Sequence, residues 1–139
     1  MIEGFLITAK LGGLSLGLSK AEVRRQLGEP ADHSQRNGKT EIWKYGGLEI
    51  AFNKGSLYFI GLYFENGTVM LPNTLLEDGV IRIEKCLVDD VEKFLLDKRI
   101  DFTVDKNLTF DQQKYLRVTK SQVGICFVQG QLHSIQLTG

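Results

Sequence analysis

The side chains with which this chain could do chemistry are few and scattered. Two histidines, His33 and His133, are the residues whose ordinary pKa lies near neutrality. No HxxxH or HxE spacing surrounds either, so they supply no metal-ligand set. Cys86 and Cys126 lie far apart in apolar surroundings with no CxxC spacing, which reads as two reduced core thiols. Asp89 and Asp90 are neighbouring carboxylates. Consecutive helical residues point about 100° apart, so a shared-proton dyad is disfavoured and the pair suits a helix N-terminus, where the dipole favours negative charge. Asp101 and Asp105 fall in an expected loop without a partner. GxSxG, P-loop and GxGxxG motifs are absent from the sequence,. The expectation is a protein without catalytic residues, metal or cofactor, whose function is carried by a surface rather than by a reaction.

The aromatic residues point to that surface. Trp43, Tyr45, Phe59, Tyr63 and Phe64 all fall within two neighbouring strand-like runs. Phe59 and Tyr63 share one face of a strand and are the first candidates for an open, partner-contacting surface. Trp43 with Tyr45, on one face of the preceding strand, are the second. Tyr58 and His133 complete the set of candidate partner-binding residues. Two placements are open for these rings: the uncovered face of a sheet, or the crease between two packed units. Large aromatics fill cores as well as anchor interfaces.

The elements that would position them come in two copies. Residues 47–64, GLEIAFNKGSLYFIGLYF, read as two strands joined by a tight turn at Asn53-Lys54-Gly55-Ser56. Residues 122–139, QVGICFVQGQLHSIQLTG, repeat the pattern 75 positions on, with Ile50 on Ile125, Phe52 on Phe127, Gly55 on Gly130, Leu57 on Leu132, Ile60 on Ile135 and Leu62 on Leu137. In the second copy Phe59 becomes Ser134, Gly61 becomes Gln136 and Tyr58 becomes His133, while Ile60 and Leu62 keep their character. The face that stays apolar is the one a helix should cover.

Each hairpin is preceded by a helix signal. Ser19 with Glu22 forms a capping box, Leu18 and Val23 suit a hydrophobic staple, and Gly28 with Pro30 ends the helix. Val91, Phe94 and Leu95 make the core-facing stripe of the second helix. Val91 and Leu95 match Val23 and Leu27 at an offset of 68. Residues 40–45 and 115–119 read as strands, 31–39 as a loop or hairpin arm, 5–9 as a first strand, and 80–84 as a strand edging either sheet. The fold expected is α+β: antiparallel sheet with helices on one face, built as two tandem α-β-β-β units, about 4–66 and about 80–139, within one domain spanning residues 1–139.

Composition narrows the partners. Lys plus Arg equals Asp plus Glu at 17 each, and a neutral total argues against a dedicated nucleic-acid binder. Arg24, Arg25, Arg36, Lys39 and Lys44 give the first unit a local basic bias. No run approaches the roughly 20 apolar residues of a membrane span, and the start lacks a basic n-region. These features lead to the expectation of a reduced, cytoplasmic protein that binds neither membrane nor nucleic acid.

The run GLSKAEVRRQLGEP at residues 17–30, followed by Trp43-Lys44-Tyr45 on a strand, resembles the opening helix and strand of the SmpA/OmlA (BamE-like) modules and of the β-lactamase-inhibitor-protein-like fold. The resemblance implies a short helical segment packed on an antiparallel sheet, repeated in tandem, with an exposed aromatic sheet face that binds a protein. The function expected is a non-enzymatic protein-interaction module, an inhibitor or immunity-type protein, present as a monomer or homodimer. The alternative is a small-molecule or peptide binder, or a weak enzyme, with a pocket between the units that uses His133, Tyr58 or Asp side chains.

Overall fold

Alternating apolar residues, punctuated by glycine turns, build the dominant element of this α+β protein. The computed structural model describes residues 1–36 and 38–139. Helices α1 (Ile2–Thr8), α2 (Lys20–Leu27) and α3 (Val88–Asp97) accompany strands β1 (Asp32–Arg36), β2 (Thr40–Tyr45), β3 (Leu48–Asn53), β4 (Ser56–Tyr63), β5 (Thr68–Met70), β6 (Val80–Arg82), β7 (Phe102–Val104), β8 (Gln113–Val118), β9 (Gly124–Val128) and β10 (Gln131–Thr138). Among the described residues, eight strands form one antiparallel sheet in the order β1-β2-β3-β4-β10-β9-β8-β7, and β5 pairs with β6 in a separate ribbon. Asn37, placed by the sequence in a loop or hairpin arm, lies outside the described residues, as does the Arg36 side chain.

The two halves of the sheet are wired alike. Phe52 pairs with Leu57 and Ala51 with Phe59, leaving Tyr58 as an extra residue. Phe127 pairs with Leu132 and Cys126 with Ser134, leaving His133 extra in the same way. Both hairpins turn with positive φ at two successive residues, Lys54-Gly55 and Gln129-Gly130. That is the type I′ geometry, whose twist matches the strands it joins. The segment before each helix docks on its own hairpin through equivalent bonds: the Leu57 N–H donates to the Leu18 carbonyl and the Leu132 N–H to the Cys86 carbonyl, both at 2.8 Å.

One hydrophobic cluster runs beneath both halves. It takes in Val23 and Leu27 of α2, Leu95 of α3, Phe5 and Leu6 of α1, and Trp43, Ile50, Phe52, Ile60, Leu62, Leu116, Ile125, Phe127 and Ile135 of the sheet. The face of α2 toward the sheet is fastened by charge as well. Lys20 pairs with Glu41, whose Oε1 also accepts from the Trp43 indole N–H at 3.0 Å. The Arg24 guanidinium lies 4.9 Å above the Trp43 ring. The Ser19 capping box is present, with both reciprocal bonds made.

Four expectations are corrected. Residues 5–9 are not a strand. Ile2, Phe5, Leu6 and Ala9 are the inward positions of α1, an i, i+3, i+4, i+7 stripe that a short apolar run does not distinguish from a strand. In the large sheet, α2 and α3 are each followed by four strands rather than three. Residues 32–36 form β1 and residues 102–104 form β7, the two sheet edges, where polar sequence is tolerated because one side faces water. The 80–84 segment edges neither half, since β6 pairs with β5. The α3 stripe is only partly core: Leu95 is buried, Val91 is half-buried and Phe94 is exposed.

The helix starts differ in a way that stability can read. Ser19 accepts from the Glu22 N–H, whereas Leu87, at the matching position before α3, makes no side-chain cap. Urea denaturation should therefore show opposite signs at equivalent sites. Ser19→Ala should cost about 1 kcal/mol, and Leu87→Ser should gain a comparable amount. Glu41 makes a second prediction. The Lys20 ammonium and the Trp43 N–H hold its carboxyl below the usual carboxylate range. Its stabilising contribution is complete at neutral pH and is lost as pH falls through that lowered value. Thermal melts from pH 7 downward should lose stability less steeply in Glu41→Gln than in the parent.

Candidate functional site

The two faces of the sheet are sorted by strand alternation, and everything that covers the sheet lies on one of them. Glu92 of α3 reaches Lys114, α2 reaches Glu41 and Trp43, and the Tyr45 hydroxyl donates to the Gly28 carbonyl at 2.8 Å. Leu6 of α1, Ile81 and Ile83 line a cavity floored by Ile125, Leu132 and Ile135 of the same face. The opposite face carries no helix among the described residues.

On that bare face the registers assemble two cross-strand rows. One runs Lys44–Glu49–Gly61–Gln136–Gly124–Arg117, the other Tyr63–Ser134–Cys126–Tyr115. Both rows are small or slender in the middle and large at the ends. The end rings lean inward over the space the small residues leave. A Cβ at Gly124 would fall on the Tyr115 hydroxyl and ring. A Cβ at Gly61 would lie 2.8 Å from the Phe59 ring and 3.0 Å from that of Tyr63. The glycines are therefore sockets for three aromatic rings. Ser134, Cys126 and Tyr115 are buried although no helix lies above them, because the neighbouring side chains cover them.

The surrounding groups fix the rings. Arg117 pairs with Asp105 at 2.9 Å and sits 5.2 Å over the Tyr115 ring. His133 meets Tyr63 edge-on at 6.0 Å between ring centroids. Burial pushes the Tyr63 and Tyr115 hydroxyls above the usual phenol range, with Glu49 adding to the shift at Tyr63. Both remain protonated donors at physiological pH. Burial likewise raises the Cys126 thiol, partly offset by the Ser134 hydroxyl beside it. Burial and Asp90 raise Cys86, whose thiol donates to the Ile83 carbonyl. Neither cysteine is held as the thiolate that nucleophilic chemistry requires. Among the described residues no cluster of three His, Cys, Asp or Glu side chains could hold a metal ion. The arrangement is a stacking and hydrogen-bonding platform.

The sequence-chosen residues divide. Phe59 and Tyr63 lie together on the bare face, and His133 joins them through the Tyr63 ring. Tyr58 is the bulged, half-buried residue next to Phe59. Trp43 and Tyr45 are corrected. They are 1% and 5% exposed and belong to the helix-bearing face, Trp43 packed edge-on against Phe52 at 4.7 Å. Burial pushes the Tyr45 hydroxyl up to about 12. His33 stands exposed on the β1 edge, 4.0 Å from Glu41, away from the platform. Of the side chains named in the alternative reading, neither His133 nor Tyr58 lines the cavity floored by the sheet, whereas Asp90 does.

Tyr115, with its Gly124 socket, was missed. The signal for it was a glycine inside a central strand, which marks a place where something approaches the backbone closely. Comparison with protein families, curated proteins and solved structures finds no match to this chain.

The socket can be tested on its own. Gly124→Ala should displace the Tyr115 ring and destabilise the protein by about 1–3 kcal/mol, the usual cost of overpacking. The same change made in a Tyr115→Ala background should cost much less. A double-mutant cycle from chemical denaturation reads the difference as coupling between the two sites.

Proposed function

We propose that the chain is a non-enzymatic protein-binding module whose partner docks on the bare sheet face over Phe59 and Tyr63, with buried Tyr115 supporting the platform beside them. The observation that carries this reading is the pair of half-buried rings, Phe59 and Tyr63, seated over Gly61 on a face that no helix covers among the described residues. Rings already held against the backbone lose little freedom when a partner covers them, which is how preorganised anchors gain affinity. Tyrosine is among the residue types that dominate interface energetics. The polar row from Lys44 to Arg117 supplies hydrogen-bonding groups alongside an apolar centre.

On this reading the chain is two tandem helix-and-meander units, of the kind found in the SmpA/OmlA (BamE-like) and β-lactamase-inhibitor-protein-like folds. Support comes from the paired bulges, the paired turns and the equivalent docking of α2 and α3 segments on their hairpins. Sheet-face binding by an inhibitor or immunity-type protein follows from fold analogy. Among the described residues no helix is long and apolar enough to cross a membrane; the proposed partner is a protein met inside the cell.

The experiment is affinity capture from the native cell with the parent, Phe59→Ala and Tyr63→Ala. One specific protein should be retained by the parent and lost by both variants, each losing about 2 kcal/mol or more of binding as for central interface anchors. Circular dichroism and melting temperature should show both variants folded. Retention of every captured protein by both folded variants sinks the proposal. Conversion of a parent dimer to monomer in both variants would mean instead that the face pairs with a second copy.

A further inference from the structure

The helix-bearing face holds a cavity that the interaction surface does not explain. It encloses about 550 Å³, within the range typical of small-molecule sites. Its floor is Ile125, Leu132 and Ile135, and its walls include Leu6, Val91 and Phe94. The floor residues stand 75 positions after Ile50, Leu57 and Ile60 of the other half. There, buried Val23 of α2 sits where α3 presents Val91, which is only half-buried. Phe94, one turn further on, is 36% exposed. The second half thus leaves open, beside its helix, an apolar space that reaches the sheet. Water inside would find few hydrogen-bonding partners, and roomy apolar cavities take apolar guests instead.

The charged side chains in its lining are Glu3, Lys85 and Asp90. Glu3 is 3.6 Å from Lys98. Lys85 and Asp90 make no ion pair among the described residues. Both also border an adjoining cleft of about 610 Å³, which contains Arg82 and Glu84. The mouth therefore offers one unengaged cation and one unengaged anion, with a further charge of each sign behind them.

We propose that this cavity binds a single-chain amphiphile with a zwitterionic head, its chain on Ile125, Leu132 and Ile135 and its head between Lys85 and Asp90. Asp90 meets the cationic part of the head and Lys85 the anionic part. The site lies on the opposite face from the protein-binding platform and does not depend on it.

Titration calorimetry with dodecylphosphocholine below its critical micelle concentration tests the site. Saturable one-to-one binding with a negative heat-capacity change is expected, since apolar surface is buried. Val91→Phe and Leu132→Phe fill the cavity from two sides. Each should weaken binding at least tenfold, with circular dichroism confirming the fold of whichever variant is read. Thr103→Ala, exposed on the far side of the sheet, should bind as the parent does. The double variant Lys85→Met/Asp90→Asn should bring the affinities for dodecylphosphocholine and laurate together, where the parent prefers the former. Absence of saturable binding, or binding that folded cavity-filling variants leave unchanged, overturns the site. An unaltered head-group preference in the double variant overturns the role of Lys85 and Asp90.

Discussion

The backbone ladder between β4 and β10 is the constraint on which the rest of this structure depends. Each half alone would be a four-stranded meander with one long exposed edge, and exposed edges invite further pairing. Setting Ile60 against Leu137 and Leu62 against Ile135 closes both edges at once and makes one floor for one core. It also fixes what the other face must look like. Gln136 comes to lie between Gly61 and Gly124, and Ser134 between Tyr63 and Cys126. Because side-chain direction alternates strictly along a strand, a slip of one residue in this ladder would turn the buried row outward. It would also pull the rings off their glycines. The platform and the core are two consequences of one register.

The register within each hairpin was largely legible in the sequence, because the features that set it are local, whereas the long-range ladder between β4 and β10 was not read. The turn pairs Lys54-Gly55 and Gln129-Gly130, the alternation of Ile50 and Phe52, and their echoes at Ile125 and Phe127 each act within a few residues. The retained character of Ile60 and Leu62 correctly assigned Phe59 and Tyr63 to the uncovered side. The edge strands were not legible. DHSQR in β1 has no apolar alternation, and it forms a strand only because β2 offers it partners in space. The three-residue β7 exists for the same reason, lying along β8. In α1 the stripe Ile2, Phe5, Leu6, Ala9 was present, but seven residues carry too few turns for period to decide between helix and strand.

The site was half legible for a related reason. Sequence alternation says that Trp43 and Tyr45 share a face, but not which face. Their burial is decided by what α2 brings: Arg24 over the indole and the Gly28 carbonyl for the Tyr45 hydroxyl. Those are contacts between residues 17 to 19 positions apart, invisible to strand periodicity. Tyr115 was hidden differently. It gains its place from Gly124, at the start of the next strand, and a ring-in-socket contact has no one-dimensional signature beyond the glycine itself.

The two halves share a wiring plan but not a division of labour, and their helices show why. Around α2 the capping box, the Lys20–Glu41 pair and the Arg24–Trp43 stack all act together, so the helix is held at its start and along its inner face. Around α3 the cap is missing, Lys114–Glu92 is the main polar tie to the sheet, and Phe94 and Leu96 stand in solvent. Looser fastening in the second half leaves apolar surface uncovered, which costs stability unless something else comes to occupy it. The half around α2 is therefore the more firmly fastened, and the half around α3 is the one that leaves an apolar cavity beside its helix.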